Sequence, residues 1–201
     1  MENSFIYLLE YSIKEHWELP ALTDYKGVTY TYKDVARKIE KLHLWFENSG
    51  IRKGDKIALC SRNASHWGIA FLGIVTYGAI AVPILHEFKP DNIHHIINHS
   101  ESKLLFVGDS VWESLNHNHM PHLDGIIRME DYTIRHANNP MLSQARERVN
   151  ELFGQKYPDR FTAEDVNYKF EKPEDIALIN YTSGTTSASK GVLLPYRSMW
   201  S

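Results

Sequence analysis

Lys56-Ile57-Ala58-Leu59-Cys60-Ser61-Arg62-Asn63-Ala64-Ser65-His66-Trp67-Gly68-Ile69-Ala70-Phe71-Leu72-Gly73-Ile74-Val75-Thr76-Tyr77-Gly78-Ala79-Ile80-Ala81-Val82-Pro83-Ile84 reads as strand, helix, strand. Lys56 to Leu59 follows the Gly54-Asp55 turn as a short buried-type strand. Asn63 stands where it can cap a helix running to about Tyr77. That helix is apolar nearly all round, the pattern of a buried one. Ala79 to Ile84 is the second strand. Upstream, Val35, Ile39, Leu42 and Phe46 have helical spacing over Tyr32 to Asn48, with Gly50 suited to the exit. Downstream, Pro90 opens a helix in which Ile93, Ile96 and Ile97 share a face. Leu104 to Val107, Gly125 to Met129 and Ile176 to Tyr181 follow as strands.

This order predicts the α/β class, a largely parallel helix-covered sheet. Ligands of such sheets bind beyond the carboxyl ends of the strands. The polar, less regular segment 130–172 is expected to be a surface insertion. Within it, Ser143 to Phe153 can form an amphipathic helix. Ala145, Val149, Leu152 and Phe153 make its apolar face, and Arg146, Glu147, Arg148 and Glu151 its wet side.

Composition is that of an ordinary globular fold: 43% hydrophobic and 23% charged over 201 residues. A formal net charge of −3 gives no electrostatic case for nucleic acid. A single cysteine, Cys60, excludes an internal disulfide framework and fits a reducing compartment. Its position at the end of an apolar run suggests an inert thiol. The start of the chain lacks a signal-peptide pattern, and no run of 18 apolar residues occurs. A cytoplasmic location is therefore expected. Among 11 histidines, His95 and His99 lie one turn apart, and His117, His119 and His122 cluster. His95 to His99 lacks the glutamate of H-E-x-x-H, so exposed, neutral imidazoles are the expectation rather than a zinc site.

The strand ending at Tyr181 leads into Tyr181-Thr182-Ser183-Gly184-Thr185-Thr186-Ser187-Ala188-Ser189-Lys190-Gly191, which holds six aliphatic hydroxyls, two glycines and a lysine. Small residues let the backbone approach an anion, hydroxyls add donors, and the ammonium is a point charge suited to phosphate. Gly184 and Lys190 have Walker A spacing. Ser189 and Gly191 break that pattern, and Val192-Leu193-Leu194-Pro195 reads as a strand rather than a helix. A strand–loop–strand cradle for a polyphosphate and a plain polar hairpin turn both fit the residues.

Tyr-Thr-Ser-Gly-Thr-Thr-x-x-x-Lys-Gly-Val resembles the phosphate-loop signature of the adenylate-forming superfamily, which includes acyl-CoA synthetases, luciferases and peptide-synthetase adenylation domains. Ser61-Arg62-Asn63, His66-Trp67 and Gly78 to Ile84 resemble the N-terminal half of long-chain fatty-acid–CoA ligases. Val28 to Val35, Ile96 to Leu104 and Phe106-Val107 extend the likeness. It runs over roughly residues 20 to 200, less about 130–170. Serine stands at 187 and 189, where the family has glycine and proline, and Pro195-Tyr196-Arg197-Ser198 stands where it often has Thr-His-x-Asn. The first two departures imply a looser loop and weaker ATP affinity.

The resemblance implies that residues 1–201 are an incomplete N-terminal AMP-binding domain. The adenine pocket, the ribose-binding aspartate and the late catalytic lysine would lie downstream, so no catalytic residue is expected here. It implies a ligase that activates a fatty (carboxylic) acid with ATP, releases pyrophosphate, and passes the acyl group to coenzyme A. Thr182, Ser183, Gly184, Thr185, Thr186 and Lys190 would hold the ATP phosphates, with Thr182 near Mg2+. The expected partners are fatty acid, ATP and coenzyme A; homodimerisation and peripheral membrane contact are left open. The competing reading is a non-catalytic nucleotide-binding or scaffold fragment of the same fold, with a Walker-type ATPase a distant third.

Overall fold

The computed structural model describes residues 4–168, 172–182 and 189–199. Its centre is a seven-stranded sheet in the order β7-β6-β5-β3-β4-β8-β9. The strands are β3 (Lys56–Cys60), β4 (Ile80–Pro83), β5 (Leu104–Val107), β6 (Gly125–Arg128), β7 (Ile134–Ala137), β8 (Ile176–Thr182) and β9 (Lys190–Pro195). Neighbours from β6 across to β8 pair in parallel. The two outermost strands, β7 and β9, join antiparallel. The α/β class and the mostly parallel sheet are as the βαβ order requires. A separate hairpin, β1 (Pro20–Thr23) with β2 (Thr29–Thr31), lies outside that sheet.

The pleat divides the core in two. Ile57, Leu59, Leu104, Phe106 and Ile127 point to one face, where they meet α1 (Phe5–Glu15), α2 (Tyr32–Asn48), α3 (Ser65–Tyr77) and α6 (Pro140–Lys156). Their sequence neighbours Ala58, Cys60, Leu105, Val107 and Ile126 point to the other, against Ile93, Ile96 and Ile97 of α4 (Pro90–Ser100). A one-turn helix, α5 (Asp109–Trp112), follows β5. Burial on both faces explains why the central strands read as continuous apolar runs instead of alternating ones.

α2 matches the expected span. Its N-terminus is closed by a capping box: Thr31 Oγ1 accepts from the Asp34 N–H and Asp34 accepts from the Thr31 N–H. α3 differs from expectation. It begins at Ser65, not behind an Asn63 cap, and the flanking Ala64 offers no side-chain acceptor. The Ser65 N–H instead donates to Asp24 Oδ1 at 2.7 Å, so the β1–β2 hairpin supplies the cap from 41 residues away.

The segment expected to be a surface insertion also sends side chains into the core. Leu142, Ala145, Val149, Phe161, Val166 and Tyr168 are all buried. The Trp45 indole N–H donates to the Leu142 carbonyl at 2.9 Å, tying α6 to α2. Reading only Ser143 to Phe153 as helix missed the first turn, which carries Leu142 into the core. Residues 169–171 of that segment lie outside the described residues.

Candidate functional site

β8 and β9 form an antiparallel hairpin whose last pair is Thr182 with Lys190. β8 is parallel to β4, so the hairpin tip stands at the carboxyl end of the sheet. Two of the six residues expected to hold phosphates, Thr182 and Lys190, therefore face each other across the neck of the loop, both exposed. The other four, Ser183, Gly184, Thr185 and Thr186, lie outside the described residues, as does Ser187.

The hairpin neck is held from outside the strands. Tyr181 pairs with Gly191. A Cβ on Gly191 would lie 3.0 Å from Ile179 Cγ2 and 3.1 Å from Tyr181 Cζ, so glycine lets the phenol ring lie flat over β9. The Tyr181 hydroxyl and His99 Nδ1 share a 2.7 Å hydrogen bond, and burial pushes the phenol pKa up. α4 thereby fixes the residue that enters the loop. At the far end of β9, the Tyr196 hydroxyl donates to the Val75 carbonyl at 2.6 Å and the Tyr196 N–H to the Asp175 carbonyl at 3.0 Å. Tyr196, one of the departures from the family pattern, is buried in a structural role.

Beside the neck, Ser61, Asn63, Trp67, Pro83, His86 and Asn180 surround a hollow of about 110 Å3. These residues follow β3 and β4 or sit on β8 itself, so three adjacent parallel strands open into one crevice. Ser61, His86 and Asn180 were not singled out as site residues. Ser61 lies within the family-like stretch, but adjacency to Asn180 depends on strand order, which no local pattern carries. Charged side chains pair at the carboxyl ends of β5 and β6. Asp109 accepts from Arg128 Nε at 2.9 Å and is paired with Arg135, while Arg128 Nη1 donates to Asp131 at 2.8 Å. The two guanidiniums hold the Asp109 carboxyl down at about 2.

Several histidines take part in packing and hydrogen bonding. His99 is taken by Tyr181, and the His94 and His119 rings meet edge to face at 5.1 Å. The His66 ring contacts Tyr30 and Tyr132 edge-on. No group of three or more His, Cys, Asp or Glu suited to a metal occurs among the described residues. Burial pushes the Cys60 thiol up to about 12, consistent with an inert sulfur. No helix among the described residues is long and apolar enough to cross a membrane.

The sequence model for "AMP-binding enzyme" matches residues 9–201, and the chain belongs to that family. It is 29% identical over 184 residues to a probable chloroplastic acyl-activating enzyme 16 of Arabidopsis thaliana, covering 85% of this chain and 25% of that protein. It is 23% identical over 212 residues to a long-chain-fatty-acid–CoA ligase of Escherichia coli O157:H7, covering 98% and 37%. Among solved structures, an anthranilate CoA ligase in complex with anthranoyl-AMP superposes with a TM-score of 0.75 at 21% identity, covering 96% of this chain and 35% of that one. A fatty acyl-adenylate ligase of L. pneumophila, in complex with acyl adenylate and pyrophosphate, gives 0.68 at 19% identity, covering 96% and 30%. These structural likenesses speak to the fold. The chain spans roughly a quarter to two fifths of the length of these relatives.

Proposed function

We propose that the protein bearing this chain is an acid–thiol ligase. In this reading it joins a carboxylic acid, a fatty acid in the first instance, to AMP from ATP, and then transfers the acyl group to coenzyme A. The observation that carries the reading is the β8–β9 hairpin. It pairs Thr182 with Lys190 at the carboxyl end of a mostly parallel sheet, and Ser183 to Ser189 is the sequence between them.

In the first half-reaction a carboxylate oxygen attacks the α-phosphorus and the bond to the bridging oxygen of pyrophosphate breaks. Negative charge grows on the departing group. In this reading Lys190 supplies a positive charge there, and the backbone N–H groups and hydroxyls of Ser183, Gly184, Thr185 and Thr186 donate hydrogen bonds. These donors strengthen as the charge develops, so they favour the transition state over bound ATP. The exposed Thr182 hydroxyl at the neck is a hard oxygen donor, fitting a magnesium ion held mainly by phosphate and water. Such an ion, when bound, would neutralise phosphate charge. The crevice around Ser61, His86 and Asn180 opens beside the same neck and would take the acid or the ribosyl side of the nucleotide.

The test is pyrophosphate release by the full-length protein across a panel of fatty, short-chain and aryl acids. Acid-dependent release with ATP, highest for fatty acids and lowered by Lys190→Ala, is expected. Release absent for every acid would remove the activity, and release confined to aryl acids would move the substrate class.

A further inference from the structure

Away from the hairpin, three basic side chains converge. Lys38 and Lys41 of α2 and Arg146 of α6 line one hollow of about 200 Å3, with Asp131 at its margin. All three are half-buried. No acidic side chain among the described residues forms an ion pair with any of them. Lys38 Nζ lies 5.2 Å from the centre of the Tyr30 ring. Lys41 Nζ donates to Asn150 Oδ1 at 2.8 Å. Arg146 Nε donates to the Tyr132 carbonyl at 2.8 Å, and its guanidinium lies over the Trp45 ring. Every one of these partners is neutral. Asp131 is already engaged, accepting from Arg128 Nη1 at 2.8 Å and from the Thr133 hydroxyl at 2.7 Å.

Gathering cations away from water without a counter-charge is costly, and a protein ordinarily supplies the carboxylate. Here three cations line the hollow against a single carboxylate, Asp131, which Arg128 already engages. We propose that this α2–α6 hollow is an anion site for the phosphate monoester of a small molecule, separate from the hairpin. Two ammonium point charges and one planar fork suit a dianion with three terminal oxygens. Burial and repulsion from Lys41 and Arg146 lower the Lys38 pKa against the opposing pull of Asp34, and burial, Arg37 and Arg146 lower that of Lys41. A bound dianion would reverse that. The site is recessed, and the outer face of α6 mixes Glu147, Arg148 and Glu151. A small ester therefore fits it better than a membrane plane, which needs a continuous basic surface.

Lysine reactivity reads the site residue by residue. The full-length protein is pulse-acylated with acetic anhydride alone, with inorganic phosphate, with glycerol 3-phosphate, or with phosphatidic acid vesicles, and each lysine is quantified by mass spectrometry. Both soluble phosphates are expected to slow labelling of Lys38 and Lys41 several-fold while leaving the exposed Lys26 unchanged. Arg146→Gln should abolish that protection, and Arg146→Lys should restore part of it. Circular dichroism checks that the variants are folded, and the wild-type protection stands without them. Protection absent at Lys38 and Lys41, equal at Lys26, or produced by vesicles alone would overturn the proposal. Protection at Lys190 alone would overturn it too, while leaving the hairpin reading intact.

Discussion

Lys190 is the side chain from which the proposed chemistry asks most. Lys190→Ala removes one preorganised charge and is expected to lower ATP-dependent pyrophosphate release by about 10²–10³-fold, the effect of deleting one donor at a developing anion. Because Lys190 is exposed on an outermost strand, its circular dichroism and urea midpoint should match wild type; unchanged turnover would remove it from the site. Tyr181 acts one step back. Tyr181→Phe loses the hydrogen bond to His99 and should cost about 1 kcal/mol in urea unfolding, with a raised KM for ATP if the neck positions the loop. Asp109 sets a pH limit. Its carboxyl titrates at about 2 in the folded chain against 3.8 for the unperturbed group, so folding is favoured by its ionised form. That contribution is complete above the unfolded value and is lost as pH falls from about 3.8 toward about 2. Asp109→Asn should flatten this part of the urea-midpoint profile; an identical slope in the variant would assign acid sensitivity to other carboxylates.

Among the elements, Gly125 shows how closely β6 and α6 approach. A Cβ there would run into Leu142 Cδ2 and lie 3.1 Å from the His136 carbonyl. Gly125→Ala is therefore expected to destabilise the chain by about 1–3 kcal/mol through overpacking, measured as a lower urea midpoint at constant slope. Ser187→Gly with Ser189→Pro should tighten ATP binding to the full-length protein, read by calorimetry; equal affinity would show that those serines cost nothing. Long periodic elements were legible from sequence: the apolar spacing of Val35, Ile39, Leu42 and Phe46 gives α2 its true bounds. Others were not. α1 is marked only by Ser4 accepting from the Tyr7 N–H and by Ile6 and Ile13 two turns apart. Ile134–Ala137 carries Arg135 and His136, and becomes a strand only because β6 is there to pair with it. The α3 cap was misread for a related reason: Asp24, far along the chain, reaches the Ser65 N–H. At the site, the sequence placed Thr182 and Lys190 at the loop's ends, whereas His99 against Tyr181 arises from packing between α4 and β8.

The whole molecule is a sheet whose strand order runs outward from β3 in both directions and finishes each way with a reversed strand. That order brings Ser61, His86 and Asn180 to one crevice and sends Lys38, Lys41 and Arg146 to another, on the helical layer. The two proposed sites can thus be probed independently. β9 has β8 on one side and, among the described residues, no other strand of this sheet on the other, and its Val192 and Leu193 are exposed. A rim of that kind is adhesive. Concentrated solutions of these 201 residues alone should self-associate through β9, and a lysine at 193 should act as an antidote.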